Sequence, residues 1–260
     1  MSNSCRLAGR HIVVTRPAGQ NEALATLIRD AGGEPIVFPV LEILDLEDTR
    51  GLVAAADRLD QYDLAVFISP NAVDKAMNVI RARGDWPPRL RAATIGRASE
   101  KALARHGVAE VIAPTGRFDS EALLALPALA GVQGWRVAVF RGDGGRELLG
   151  DTLRVRGATV DYVECYRRVR PNADVEPLLK RWARGEIDAV TVSSSEGLRN
   201  LYDMLGKLGQ AWLKRTPLFA PHARIAESAR ALGCDRVFET GPADEGIFAG
   251  LCAFWDNSAP

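Results

Sequence analysis

Short apolar runs alternate with amphipathic stretches along the chain, a rhythm that predicts strand–helix units built on parallel sheets. Residues 11–15 (HIVVT), centred on the apolar run 12–14, predict a buried strand. A turn at Arg16-Pro17-Ala18-Gly19 follows. The next stretch predicts a helix with Ala23, Leu24, Leu27, Ile28 and Ala31 on one face, ended by Gly32-Gly33. Residues 35–40 (PIVFPV) and 63–68 (DLAVFI) predict two more strands. The latter runs through Ser69-Pro70-Asn71 into a helix carrying Val73, Ala76, Met77 and Ile80 along one side.

The same grammar returns 125 positions later: residues 136–140 (RVAVF) match 11–15, and residues 188–194 (DAVTVSS) match 63–69. Arg141 falls on Arg16, Gly144 on Gly19, Glu147 on Glu22 and Gly157 on Gly32. Thr240-Gly241 repeats Thr115-Gly116 at that offset. A register held over several strand–helix units marks an internal duplication. Each copy has about five strands, so two similar α/β domains of ordinary size are expected. The offset leaves two partitions open. The copies could be simple halves, or the first βαβ unit could join the last three strands around an inserted domain.

The 260 residues are 47% hydrophobic and 25% charged, an ordinary globular composition. Lys plus Arg and Asp plus Glu each number 33 and are interspersed, which argues against a basic nucleic-acid-binding face. No apolar run reaches membrane-spanning length, and no apolar segment precedes the first arginines to suggest a secretory signal. Cys5, Cys165, Cys234 and Cys252 show no C-x-x-C pairing, so free thiols in a reducing compartment are expected. With only His11, His106 and His222 beside them, no protein-built metal site is expected. Arginine outnumbers lysine, a bias that genomic composition can produce and that also suits a carboxylate-rich ligand.

Ligands of open parallel sheets collect beyond the carboxyl ends of the strands. The segments there read Thr15-Arg16-Pro17, Ser69-Pro70-Asn71, Gly96-Arg97-Ala98-Ser99, Arg141-Gly142-Asp143-Gly144-Gly145-Arg146, Ser193-Ser194-Ser195 and Pro221-His222. Small and hydroxyl residues free backbone N–H groups at helix starts, and the arginines add fixed positive charge, which suits anions. Each feature also has a plain structural explanation. Ser69 and Ser194 are good N-caps, and residues 142–145 lack both the Walker lysine and G-x-G-x-x-G spacing. Arg16 and Arg141 could be solvated turn residues, although they recur at one site in both copies. His222 stands equally as a capped loop histidine or a contact.

The strings VVTRP, ISPNAV, TIGRASEKAL, VFRGDGGRELL, VECYRR and TVSSSEGL resemble uroporphyrinogen-III synthases in order and spacing, from about residue 9 to residue 251. The resemblance implies an α/β fold of two similar flavodoxin-like parallel-sheet domains, joined by a two-stranded β-linker with a cleft between them. It assigns residues 1–39 plus 170–260 to one domain, 46–164 to an inserted second, and 40–45 with 165–169 to the linker. The activity implied is closure of hydroxymethylbilane to uroporphyrinogen III, with loss of water and inversion of ring D, in haem biosynthesis. It needs neither cofactor nor metal. A cytoplasmic monomer is expected, meeting a linear tetrapyrrole, with transient contact to the enzyme that forms it, and neither nucleic acid nor membrane.

By analogy with the family's Y-x-R/T segment, Tyr166 is the expected proton donor or leaving-group orienter. Leu41 occupies its place in the other copy, so the repeat itself does not require a phenol. Its plain alternative is a linker tyrosine whose hydroxyl faces water. Substrate contacts are expected from Thr15, Arg16, Ser69, Asn71, Gly96, Ser99, Arg141, Gly142, Arg146, Ser193, Ser194, Ser195 and His222. Ser99 stands where many members have threonine, and His222 where symmetry with Gly96 predicts glycine. The main rival is a non-catalytic two-lobed binding protein for a small anion. A nucleotide-sugar glycosyltransferase is a second rival, but the chain offers no convincing phosphate loop or acidic ribose position for one.

Overall fold

In a computed structural model describing residues 5 and 7–256, the uninterrupted apolar runs become strands with helices on both faces. The expected reach of the first domain into residues 1–4, 6 and 257–260 lies outside the described residues. The first copy of the repeat supplies β1 (His11–Val14), α1 (Glu22–Asp30), β2 (Glu34–Val37), β3 (Glu42–Leu44), α2 (Arg50–Asp57), β4 (Leu64–Phe67), α3 (Pro70–Arg81), β5 (Arg91–Thr94), α4 (Arg97–Arg105), β6 (Val111–Ile112) and α5 (Ser120–Leu124). The second supplies β7 (Arg136–Gly142), α6 (Leu148–Val155), β8 (Thr159–Val169), α7 (Glu176–Ala183), β9 (Ala189–Thr191), α8 (Ser195–Arg215), β10 (Leu218–Ala220), α9 (Ala223–Ala231), β11 (Val237–Glu239) and α10 (Ala243–Asp256).

Two compact units result: Met1–Glu42 with Val169–Pro260, and Ile43–Arg168. The sheet of the first runs β11-β10-β9-β1-β2, and that of the second β3-β8-β7-β4-β5-β6. Strands β1, β2, β9, β10 and β11 are mutually parallel, as are β4 to β8. Each sheet therefore draws strands from both copies. Reading corresponding strands 125 positions apart gives the same spatial order in both sheets. The chain enters them at different points. The first unit has the flavodoxin-like order 2-1-3-4-5, and the second is a circular permutation of it with β3 added at one edge.

Side-chain alternation sorts each strand's residues into two core layers. In the second unit Ala65, Phe67, Ala138 and Phe140 face one layer, while Leu64, Val66, Val137 and Val139 face the other. The Phe67 and Phe140 rings stack with centroids 4.9 Å apart. In the first unit Val13, Val190 and Leu218 face one layer, and Ile12, Val14, Ala189 and Phe219 the other.

Three local expectations change. On α1 the buried face is Leu24, Ala25 and Ile28, and Ala23 is exposed. At 100° per residue, Ala25 lies closer to the centre of the Leu24–Ile28 stripe than Ala23 does. The expected strand over 35–40 starts earlier and stops at Val37, in register with the four residues of β1. Phe38 and Val40 lie beyond it and pack into the core with Leu198. Finally, Cys5 and Cys252 form a disulfide 247 residues apart in sequence, so the free-thiol expectation holds only for the buried Cys165 and Cys234. No spacing rule could register a pair brought together by the meeting of the N-terminal segment with α10.

Candidate active site

In each unit the topological switch point marks a crevice at the carboxyl edge of the sheet, where ligands of open α/β folds collect. It falls between β1 and β9 in the first unit and between β4 and β7 in the second. Because β7 corresponds to β1 and β4 to β9, the two crevices are repeats of one another. They differ in the residues that fill them.

In the second unit Ser69 follows β4 and caps α3, its Oγ accepting from Ala72 N–H at 3.1 Å. The same oxygen lies 3.0 Å from the hydroxyl of Tyr166. Tyr166 belongs to β8, two strands from β4, and reaches across the end of β7 at Gly142, its own ladder partner. A Cβ built on Gly142 would stand 2.7 Å from the Tyr166 ring, so the phenol lies against bare backbone. The ladder is irregular between Arg141 and Gly142. Asp143 N–H donates to Tyr166 carbonyl at 2.9 Å and Arg168 N–H donates to Asp143 Oδ1 at 2.8 Å, which fixes the backbone around the phenol. Tyr166 is 5% exposed. Burial pushes its hydroxyl above the ordinary phenol range, opposed by the Ser69 hydrogen bond and the Arg168 charge.

Around this centre, Arg141 lies inside β7 with its guanidinium 4.0 Å over the Tyr162 ring. Its Nε and Nη1 are buried without a hydrogen-bond acceptor among the described residues. Arg146 forms a two-pronged pair with Glu121, at 2.7 and 3.4 Å, which holds that carboxyl below its ordinary range. Gly96 caps α4 in extended backbone, where a Cβ would only touch the Phe118 side chain at 4.0 Å, and Ser99 is buried in the first turn of that helix. Asn71 sits in the first turn of α3.

In the first unit, buried Thr15 bridges the switch point by donating to Thr191 carbonyl at 2.7 Å. Ser194 repeats the cap of Ser69, accepting from Gly197 N–H at 2.9 Å. Ser195 accepts from Ser228 at 3.1 Å, and Ser193 precedes the cap. His222 is exposed and caps α9 in the same extended conformation as Gly96, which explains how the two can interchange. Arg16 Nε lies 2.9 Å from Asp244 Oδ1, an ion pair by distance whose alignment fails that of a hydrogen bond. Burial raises the Asp244 pKa, with Arg16 opposing it.

The family model for uroporphyrinogen-III synthase HemD matches residues 22–249. This chain belongs to the uroporphyrinogen-III synthase family. It is 36% identical over 226 residues to uroporphyrinogen-III synthase of Salmonella typhimurium, a match covering 85% of this chain and 91% of that one. The Escherichia coli enzyme is 35% identical over the same coverage. In fold the chain is similar to a crystal structure of a mutant uroporphyrinogen III synthase from Thermus thermophilus. That TM-score is 0.65 at 24% identity, covering 95% of this chain and 98% of the other.

Within this synthase fold, several neighbours of the expected site escape sequence reasoning. Asp244 against Arg16, Glu121 against Arg146 and Tyr162 beneath Arg141 each come from another strand or helix. Their only sequence signal is position near the carboxyl edge of a sheet. Tyr162 also overlies Gly150, where a Cβ would lie 2.2 Å from its hydroxyl, so a small residue marks that seat as Gly142 marks the seat of Tyr166. Among the described residues no helix is long and apolar enough to cross a membrane.

Proposed function

We propose that this chain closes hydroxymethylbilane to uroporphyrinogen III, losing water and inverting ring D through a spiro intermediate, in haem biosynthesis. Family membership over most of the chain carries that reading, and disfavours the non-catalytic binding protein. The acetate and propionate groups of the substrate are taken by hydroxyls, backbone N–H groups and arginines at the carboxyl edges of the sheets. Arg141 supports this role, because an arriving carboxylate would supply the acceptors its buried nitrogens lack. Strand β3 with the end of β8, within residues 40–45 and 165–169, serves as the linker.

Tyr166 donates its phenol proton to the departing hydroxyl, and the C–O electron pair leaves with the oxygen as water. The cation left behind must be closed by the substituted carbon of ring D, so the second task is restraint of the chain ends. The enzyme acts as a cytosolic monomer. Spontaneous closure yields the type I isomer, which favours brief contact with the enzyme that supplies the substrate.

Freshly generated hydroxymethylbilane supplied to the purified chain, followed by isomer analysis, tests the reading. Type III product without added cofactor is expected, and Tyr166→Phe should lower kcat about 100-fold if the phenol is the acid. Type I product alone would overturn the proposed reaction. Near-normal turnover by Tyr166→Phe would leave restraint as the mechanism.

A further inference from the structure

Ser69 has two tasks that compete for one hydroxyl. Its Oγ accepts from Ala72 N–H and contacts the Tyr166 hydroxyl at 3.0 Å. A serine hydroxyl has one proton and two lone pairs. If Tyr166 donated to Ser69, both lone pairs would be engaged and the phenol proton would be held by the protein. If Ser69 donates instead, the cap is kept and the phenol proton is free.

The duplication shows that the cap itself does not need the phenol. Ser194 caps α8 with the same backbone conformation, yet its counterpart of Tyr166 is Leu41 and its counterpart of Gly142 is Pro17. Of the two switch points, only that between β4 and β7 brings together a phenol, bare backbone under it and a hydroxyl at its tip. A ring seated on Gly142 has its hydroxyl aimed at Ser69, and a Cβ there would remove that path.

We propose that Ser69 is a positioning residue for Tyr166, capping α3 with a lone pair while donating its own proton to the phenol oxygen. The inference rests on the reading of Tyr166 as proton donor. As the C–O bond breaks, the phenol proton passes to the leaving oxygen and water departs. The bond from Ser69 then shortens onto a phenolate and strengthens as charge develops. The proton released when the final ring closure restores the pyrrole returns to the phenolate, so the cycle balances without a co-reactant.

The test compares Ser69→Gly, Ser69→Thr, Ser69→Asp, Tyr166→Phe and the Ser69→Gly/Tyr166→Phe pair, using freshly generated hydroxymethylbilane. Glycine keeps most of the cap and deletes the donor; threonine restores both. Ser69→Gly is expected to lower kcat about 10- to 100-fold with KM unchanged and to move the alkaline limb of kcat to higher pH. It should cost nothing further in the Tyr166→Phe background, and Ser69→Thr should stay near wild type. Aspartate caps well but only accepts at neutral pH, so Ser69→Asp should fold and lose turnover by tying up the phenol proton. Equal losses from Ser69→Gly in both backgrounds, or a rise in KM alone, would overturn the relay and leave Tyr166 standing. Wild-type turnover by Ser69→Asp would overturn the direction of donation. Near-normal turnover by Tyr166→Phe would overturn the reading of the phenol, and the relay with it.

Discussion

At the scale of single residues, the absence of a side chain does as much as its presence. Gly142 faces the Tyr166 ring, and a Cβ there would stand 2.7 Å from two ring carbons. The ring cannot retreat freely, because its backbone is bonded to Asp143 and its hydroxyl to Ser69. Gly142→Ala is therefore expected to destabilise the second unit by roughly 1–3 kcal/mol and to lower turnover. Tyr166→Ala empties a buried site and is costly by itself, so the strain shows as coupling: Gly142→Ala should cost little more in the Tyr166→Ala background, as a double-mutant cycle of denaturant unfolding would record. A cost of Gly142→Ala that Tyr166→Ala leaves unchanged would place the strain elsewhere. This arrangement was only half legible in the sequence. Ser69 stood out at a strand end, and the family resemblance singled out Tyr166. Their contact spans 97 positions and passes over a third strand, which no local pattern encodes.

At the scale of elements, uninterrupted apolar strands were legible because both faces are buried, so β1, β4, β7 and β9 carry no polar alternation to blur them. Elements shaped by one copy alone were harder to read. Helix α3 ends at Arg81, and 125 positions later α8 meets Gly206, with φ 60° and ψ −178°, before continuing to Arg215. The kink lies where the sister helix stops. Two effects oppose each other at Gly206→Ala. Helix propensity favours alanine by about 1 kcal/mol, whereas this backbone region is essentially reserved for glycine and costs roughly 1–3 kcal/mol otherwise. Open space beside Gly206 means that sterics with neighbouring groups add nothing. The backbone cost is the larger, so Gly206→Ala should destabilise the first unit in denaturant unfolding. A more stable variant would mean that a straight helix is available to the sequence.

At the scale of the molecule, the 125-position offset revealed two copies but not the partition, since both partitions satisfy it. Strand pairing decides what periodicity cannot: β1 and β2 join β9 to β11, while β4 to β6 join β7 and β8. The first unit is consequently built from the two ends of the chain, and its strands are joined through the whole of the second. Such a discontinuous unit gains most from a tie between its ends. Cys5 and Cys252 supply it, beside a core layer that holds Leu7, Leu251 and the Phe219 ring. A cross-link that closes a long loop removes entropy from the unfolded chain, typically ~2–4 kcal/mol. Phosphine reduction or Cys252→Ser should therefore speed hydrogen exchange in β1, α1 and α10, leaving residues 43–168 protected as before. The closed unit forms from the dithiol by exchange with a low-molecular-weight disulfide, so oxidised glutathione should restore protection to the reduced protein and not to the serine variant. Equal loss of protection in both units would mean that the tie stabilises the chain as one cooperative body and not the discontinuous unit alone.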